Sequence, residues 1–169
     1  MAARDPVVPA SADHRTPWTS GGERETLVDF LDYLRAAVVR KARDVPDARA
    51  RRALVPSGTS LLGLVAHLTR VEVFWFQWAF AGLDVDVPDD HIGTGVNAEE
   101  IVDAYRRAAA ASNDIVARTA DLSTRCRRAG VAPQPMTLRW VLVHMIEETG
   151  RHAGHADILR EQIDGSVGR

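Results

Sequence analysis

The stretch Thr137-Leu-Arg-Trp-Val-Leu-Val-His144-Met-Ile-Glu-Glu148-Thr-Gly-Arg-His152-Ala-Gly-His155-Ala-Asp-Ile-Leu159 reads as one long amphipathic helix. Leu138, Val141, Leu142 and Met145 recur at three- and four-residue spacing, which lines one helical face. Thr137 offers a side-chain oxygen at the N-cap, and Gly165 stands where a left-handed C-cap belongs, so the helix is predicted over 137–164. After Met145 the stripe stops being apolar. Its next inward positions are Glu148, His152 and His155, with His144 one turn earlier on the same side. An ionised glutamate turned toward a core is costly unless something pairs with it. A metal ion is one such partner, because it takes carboxylate oxygen and imidazole nitrogen directly.

The rest of the chain has to cover that face. Ser20-Gly-Gly-Glu23 has the form of a capping box, and Leu27, Phe30, Leu31, Leu34 and Val38 form a stripe behind it, predicting a helix over 21–44 ended by Pro46. A short helical turn is expected at Asp47–Ala53. Thr59 or Ser60 caps a second main helix over 60–82, with Leu61, Leu64, Leu68, Val71, Trp75 and Trp78 as its stripe. Asn97-Ala-Glu-Glu100 is a second capping-box start, opening a helix over 98–122 whose Ala108 to Ala111 run favours helix and close packing. Segments 83–96 and 123–136 are loops, and no strand-like alternation or internal repeat occurs. Four stripes that each need a partner make an all-α, four-helix bundle over 21–169, preceded by a flexible lead-in over 1–20 that contains Pro6, Pro9 and Pro17.

Bulk properties narrow the function. The chain has 169 residues, 46% hydrophobic and 26% charged, with a formal net charge of −2. No basic field favours nucleic acid, and no apolar run approaches the roughly 18–20 residues of a membrane span. Met1 to Ala10 lacks the apolar segment of a secretory signal, and the single Cys126 excludes an internal disulfide framework, so a reducing cytoplasm is expected. Cys126 lies among Arg125, Arg127 and Arg128, which suits an activated thiolate; a partly exposed, unreactive thiol beside a helix end is the plainer expectation.

His67 sits between Leu64, Leu68 and Val71, on or beside the buried stripe of the second helix. One ligand from a neighbouring helix added to a pair at i and i+4 is a common way to build a bundle metal site. Spacing alone leaves other readings open. His67 could be a core histidine bonded to a carbonyl, and Glu148 could pair with Arg151, Arg70 or Arg139.

The segment Leu64-Val-Ala-His67-Leu-Thr-Arg-Val-Glu72, followed by Phe74-Trp75-Phe76, resembles the second-helix signature of the DinB-like superfamily. The run from His144 through Glu148, His152 and His155 to Arg160 resembles its last helix. The branch most similar is the one described as mini-circle proteins, with mycothiol-dependent maleylpyruvate isomerases as more distant relatives. This resemblance implies an up-down-down-up bundle holding zinc or nickel, with His67, Glu148 and His152 at the three ligand positions. His155 falls where many relatives have glutamine, so a fourth ligand and a group touching a ligand both remain open.

Three protein ligands leave open positions, as a catalytic zinc requires. Such an ion lowers the pKa of bound water or holds a thiol as thiolate. The resemblance favours the second: a thiol S-transferase or isomerase using mycothiol or a similar thiol on a small electrophile, often as a homodimer. A metal-dependent hydrolase and a non-catalytic stress-response bundle are the alternatives. The aromatics Phe74, Trp75, Phe76 and Trp78 fit core or dimer packing better than a substrate wall. Arg70, Arg139 and Arg151 lie near the metal residues as candidate anion clamps, with a solvated or ion-paired surface role the plainer expectation for each.

Overall fold

Short polar side chains start three of the main helices. In a computed structural model of the chain, which describes residues 16–18, 20–93, 95–130 and 133–167, Ser60 Oγ accepts from Gly63 N and opens α3 (Leu61–Glu72). Asn97 and Glu100 form a full capping box at the start of α4 (Ala98–Arg118). Thr137 Oγ1 accepts from Trp140 N at the start of α5 (Leu138–Asp164), and Gly165 closes that helix with φ 75°. α1 spans Glu23–Ala42, and α2 is a single turn, Asp47–Ala50.

Contacts between helix ends give the directions. Glu23, at the start of α1, pairs with Arg139 at the start of α5, while Lys41 near the end of α1 pairs with Asp157 far along α5; the two helices run parallel. Arg24 donates to the Val116 and Ala120 carbonyls at the end of α4, so α4 is antiparallel to α1. His67 faces Glu148 and His152, whereas Trp75, two turns later on its helix, packs on Trp140 and His144; that helix is antiparallel to α5. The order is therefore up-down-down-up, as the resemblance implies. The consecutive parallel helices are joined by a crossover, residues 81–97, that returns along the bundle before α4 begins.

The core is one continuous cluster running through Leu31, Val38, Leu61, Leu68, Phe76, Tyr105, Leu138, Leu142 and Met145. Across it lies a buried ion pair. Arg35 Nε and Nη2 donate to the two carboxylate oxygens of Glu72 at 2.7 and 2.6 Å, and Arg35 Nη1 reaches Asp32 and Asn113.

Several boundaries differ from the sequence expectation. Ser20 does not cap α1; Gly22 occupies that position with no side-chain bond, and Glu23 is committed to Arg139 instead. α4 ends at Arg118, four residues before Leu122, where Thr119 Oγ1 turns back onto the Ile115 carbonyl and Arg24 takes the Val116 carbonyl. The second main helix is not uniform: past Glu72 it widens into a π-helix over Val73–Phe80. A wider turn changes which residues face inward, and Trp75, Phe76, Ala79 and Phe80 are buried, whereas Trp78 is only partly so and stacks on Phe74. The aromatic segment is thus mainly core. Among the described residues the one extended pairing is an isolated bridge between Arg125 and Thr137. No described helix is long and apolar enough to cross a membrane. Of the lead-in expected over 1–20, residues 1–15 and 19 lie outside the described residues.

Candidate metal centre

The inward face of α5 is Leu138, Val141, Leu142, Met145, Glu148, Thr149, Ala153, Ala156 and Leu159. Glu148 therefore belongs to the core face at 7% exposure. His152, one turn on, lies at its edge. On α3, His67 occupies the matching edge, beside the buried Leu64 and Leu68.

Two imidazoles and one carboxylate meet across this α3–α5 seam. His67 Nε2 is 2.9 Å from Glu148 Oε1, and His152 Nε2 is 3.1 Å from the same oxygen. One candidate ligand atom from each of the three residues lies within 4.8 Å of the others. Glu148 Oε2 is taken separately by Arg151, which also reaches Glu147 at 3.3 Å. The division leaves Oε1 and the two Nε2 atoms as a triangle. Its 2.9 and 3.1 Å edges are near the roughly 3.4 Å separating ligand atoms that each sit about 2.1 Å from a tetrahedral ion. Donor chemistry and these two separations both fit a zinc-like ion. The histidine side chains retain 27% and 14% exposure, so the seam is open to a small ligand from solvent.

The electrostatics favour the ligating forms of Glu148 and His152. Burial opposes ionisation of Glu148, but the hydrogen bond with His67 and the neighbouring His152 and Arg151 outweigh it and hold the carboxyl below its ordinary range. Burial pushes the His152 imidazole below its usual value, favouring the neutral ring that a metal takes.

Residues 26–165 match the family described as Mycothiol-S-transferase. The chain belongs to this family. The mycothiol-S-transferase match runs from within α1 to the end of α5 and includes His67, Glu148 and His152. Two crystal structures share its fold: a DinB-like protein from Bacillus cereus ATCC 10987, at 19% identity and TM-score 0.67 over 86% of this chain and 95% of that one, and a conserved protein from Enterococcus faecalis, at 18% and 0.62 over 87% and 100%. No curated protein matches the sequence at a significant level.

Other candidates from the sequence fall elsewhere in this mycothiol-S-transferase family member. His155 is exposed and contributes no atom to the triangle; its Nδ1 stands 3.4 Å behind His152 Nδ1, on the side away from Glu148. It touches the candidate ligand His152 and lies outside the cluster of three. His144 stacks on Trp140 and meets Trp75 edge-on, both at 5.0 Å, and does not join the cluster. Arg139 is held by Glu23 and Arg70 stands 3.8 Å from Asp90, so Arg151 is the arginine that reaches Glu148. Sequence reading passed over Asp90, on the crossover, whose Oδ2 lies 3.3 Å from His67 Nδ1. An aspartate in a long loop carries no periodic signal that would mark it.

Cys126 is neither partly exposed nor activated. It is 5% exposed, and its amide donates to the Met136 carbonyl at 2.7 Å. Burial pushes its thiol above the ordinary value despite backbone hydrogen bonds to the sulfur. Arg125 and Arg128 point to the carbonyls of Pro135 and Leu83 instead. Cys126 in the folded protein is therefore expected to resist an aromatic disulfide reagent at neutral pH and to react fully in denaturant. Rapid native labelling would show that the thiol is accessible after all.

Proposed function

We propose that this protein is a metal-dependent thiol S-transferase, joining a low-molecular-weight thiol of the mycothiol class to a small electrophile. His67, Glu148 and His152 are the residues that would hold the ion, zinc by the chemistry of the donor set. The observation that carries the proposal is the meeting of two imidazole nitrogens with one carboxylate oxygen, at an open seam, in a chain of the mycothiol-S-transferase family. When bound, the ion supplies a Lewis acid able to hold an external thiol as its thiolate.

The chain's own residues account for the rest. Ionised Glu148 supplies one negative charge to the site, and Arg151 on its second oxygen fixes how the carboxylate is turned. The rigid α3 and α5 set the distance between the imidazoles. The attacking sulfur must come from outside the chain, because Cys126 is tied to Met136, just before α5 begins. His152 lies some fifteen residues further along that helix, about 20 Å away at 1.5 Å per residue. A homodimer in a reducing compartment, where such a thiol stays reduced, completes the reading.

The deciding experiment compares thiol-transfer rates of the zinc-loaded protein, the chelated protein and His152→Ala, using mycothiol and a panel of electrophiles. The loaded protein is expected to turn over, and the other two to fall to the uncatalysed background. Equal rates in all three would overturn the proposal. Thiol-independent turnover of an ester or amide would replace it with a hydrolase.

A further inference from the structure

An imidazole presents a lone pair to a metal from one nitrogen only when the other nitrogen keeps its proton. For His67 the ligating nitrogen is Nε2, which faces Glu148 Oε1 at 2.9 Å. Its Nδ1 faces Asp90 Oδ2 at 3.3 Å. Asp90 belongs neither to α3 nor to α5. It is carried to the seam by the crossover between α3 and α4, and its other oxygen lies 3.8 Å from Arg70 Nε, one turn from His67 on α3. The preceding Asp89 is turned away, its Oδ1 accepting from the His91 amide. The loop thus presents one particular carboxylate to one particular ring nitrogen.

We propose that Asp90 is a positioning residue: it accepts the Nδ1 proton of His67, fixes the ring's tautomer and rotation, and so aims Nε2 at the ion. The inference rests on the metal reading above. It gives the crossover a role in the site that the three ligands alone do not reveal. It also makes the two imidazoles unlike, since His67 is backed by a carboxylate and His152 by the imidazole of His155 at 3.4 Å.

The test is zinc affinity by competition with a chromogenic chelator on the full chain, for wild type and three variants. Asp90→Ala removes the acceptor and is expected to weaken zinc binding about 10–100-fold. Asp90→Asn keeps a carbonyl acceptor without the charge and should recover a substantial part of that loss. Asp89→Asn removes an equal charge one residue away and should bind as wild type does. Long-range proton–nitrogen correlation spectra of the zinc-loaded proteins should show His67 protonated at Nδ1 in wild type, with that proton no longer protected from exchange in Asp90→Ala. Wild-type affinity in Asp90→Ala, or an equal loss in Asp89→Asn, would overturn the proposal while leaving the metal site standing. Failure of wild type itself to bind zinc would overturn both.

Discussion

Alanine at position 148 is expected to empty the site of its ion while leaving the bundle folded. Glu148 is the one candidate ligand on the core face and the one that brings negative charge to the triangle. Losing a residue that merely orients a ligand costs about 10–100-fold in metal affinity, so losing the ligand should cost more, beyond about a hundredfold. The fold has less at stake. Removing a carboxylate that is 7% exposed also removes a buried charge from the desolvation balance, and Arg151, the more exposed partner, still has Glu147 at 3.3 Å. Zinc equilibrium dialysis alongside thermal unfolding of the metal-free protein separates the two effects. Glu148→Gln, which keeps the shape with a weaker oxygen donor, should fall between. Wild-type zinc affinity in Glu148→Ala would remove His67, Glu148 and His152 as the site.

The opposite pattern is expected from Arg35→Ala, which should cripple the fold without touching the donors. Glu72 is fully buried at 0% exposure, and Arg35, at 4%, supplies both of its hydrogen-bond donors. Truncating Arg35 leaves an uncompensated carboxylate in the core, at a cost of about 3–5 kcal/mol. For a protein of this size that corresponds to a fall in Tm of roughly 6–20 °C. The double replacement Arg35→Met with Glu72→Met removes both charges and should return most of the stability, because a buried ion pair is often no better than apolar packing of similar volume. Denaturant unfolding of the two single variants and the double variant measures this coupling. A loss below about 1 kcal/mol in Arg35→Ala would show that Glu72 finds another partner.

Features set by near neighbours in the chain were open to sequence reading. Ser60, Asn97, Thr137 and Gly165 end their helices through contacts three or four residues away, so the residue types sufficed. Glu148 and His152 were visible because they interrupt an apolar stripe, and His67 because it adjoins one. What escaped depended on distant segments. Nothing near Glu72 marks it as buried, since its partner lies 37 residues earlier. Asp90 meets His67 across 23 residues of chain. Spacing sets His144 and His155 on the face of the candidate ligands, but each sits at the edge of the helical stripe, where a modest rotation decides between seam, aromatic stack and solvent. The π-helix over Val73–Phe80 defeats any argument that assumes a constant 3.6-residue turn.

The parallel pairing of the first and last helices has a consequence for how the molecule assembles. Glu23 meets Arg139 across 116 residues, and Arg160 meets the Lys41 carbonyl across 119. Hairpin-built bundles fold quickly because most of their contacts are local; here α1 waits for α5, and the separation of those partners raises the contact order and slows closure. A nascent chain that has not yet released its last helix leaves the apolar stripe of α1 covered only where α3 and α4 touch it, without its main neighbour. The C-terminal helix is then the latch of a single cooperative unit, and truncation within it should cost the whole bundle rather than one edge.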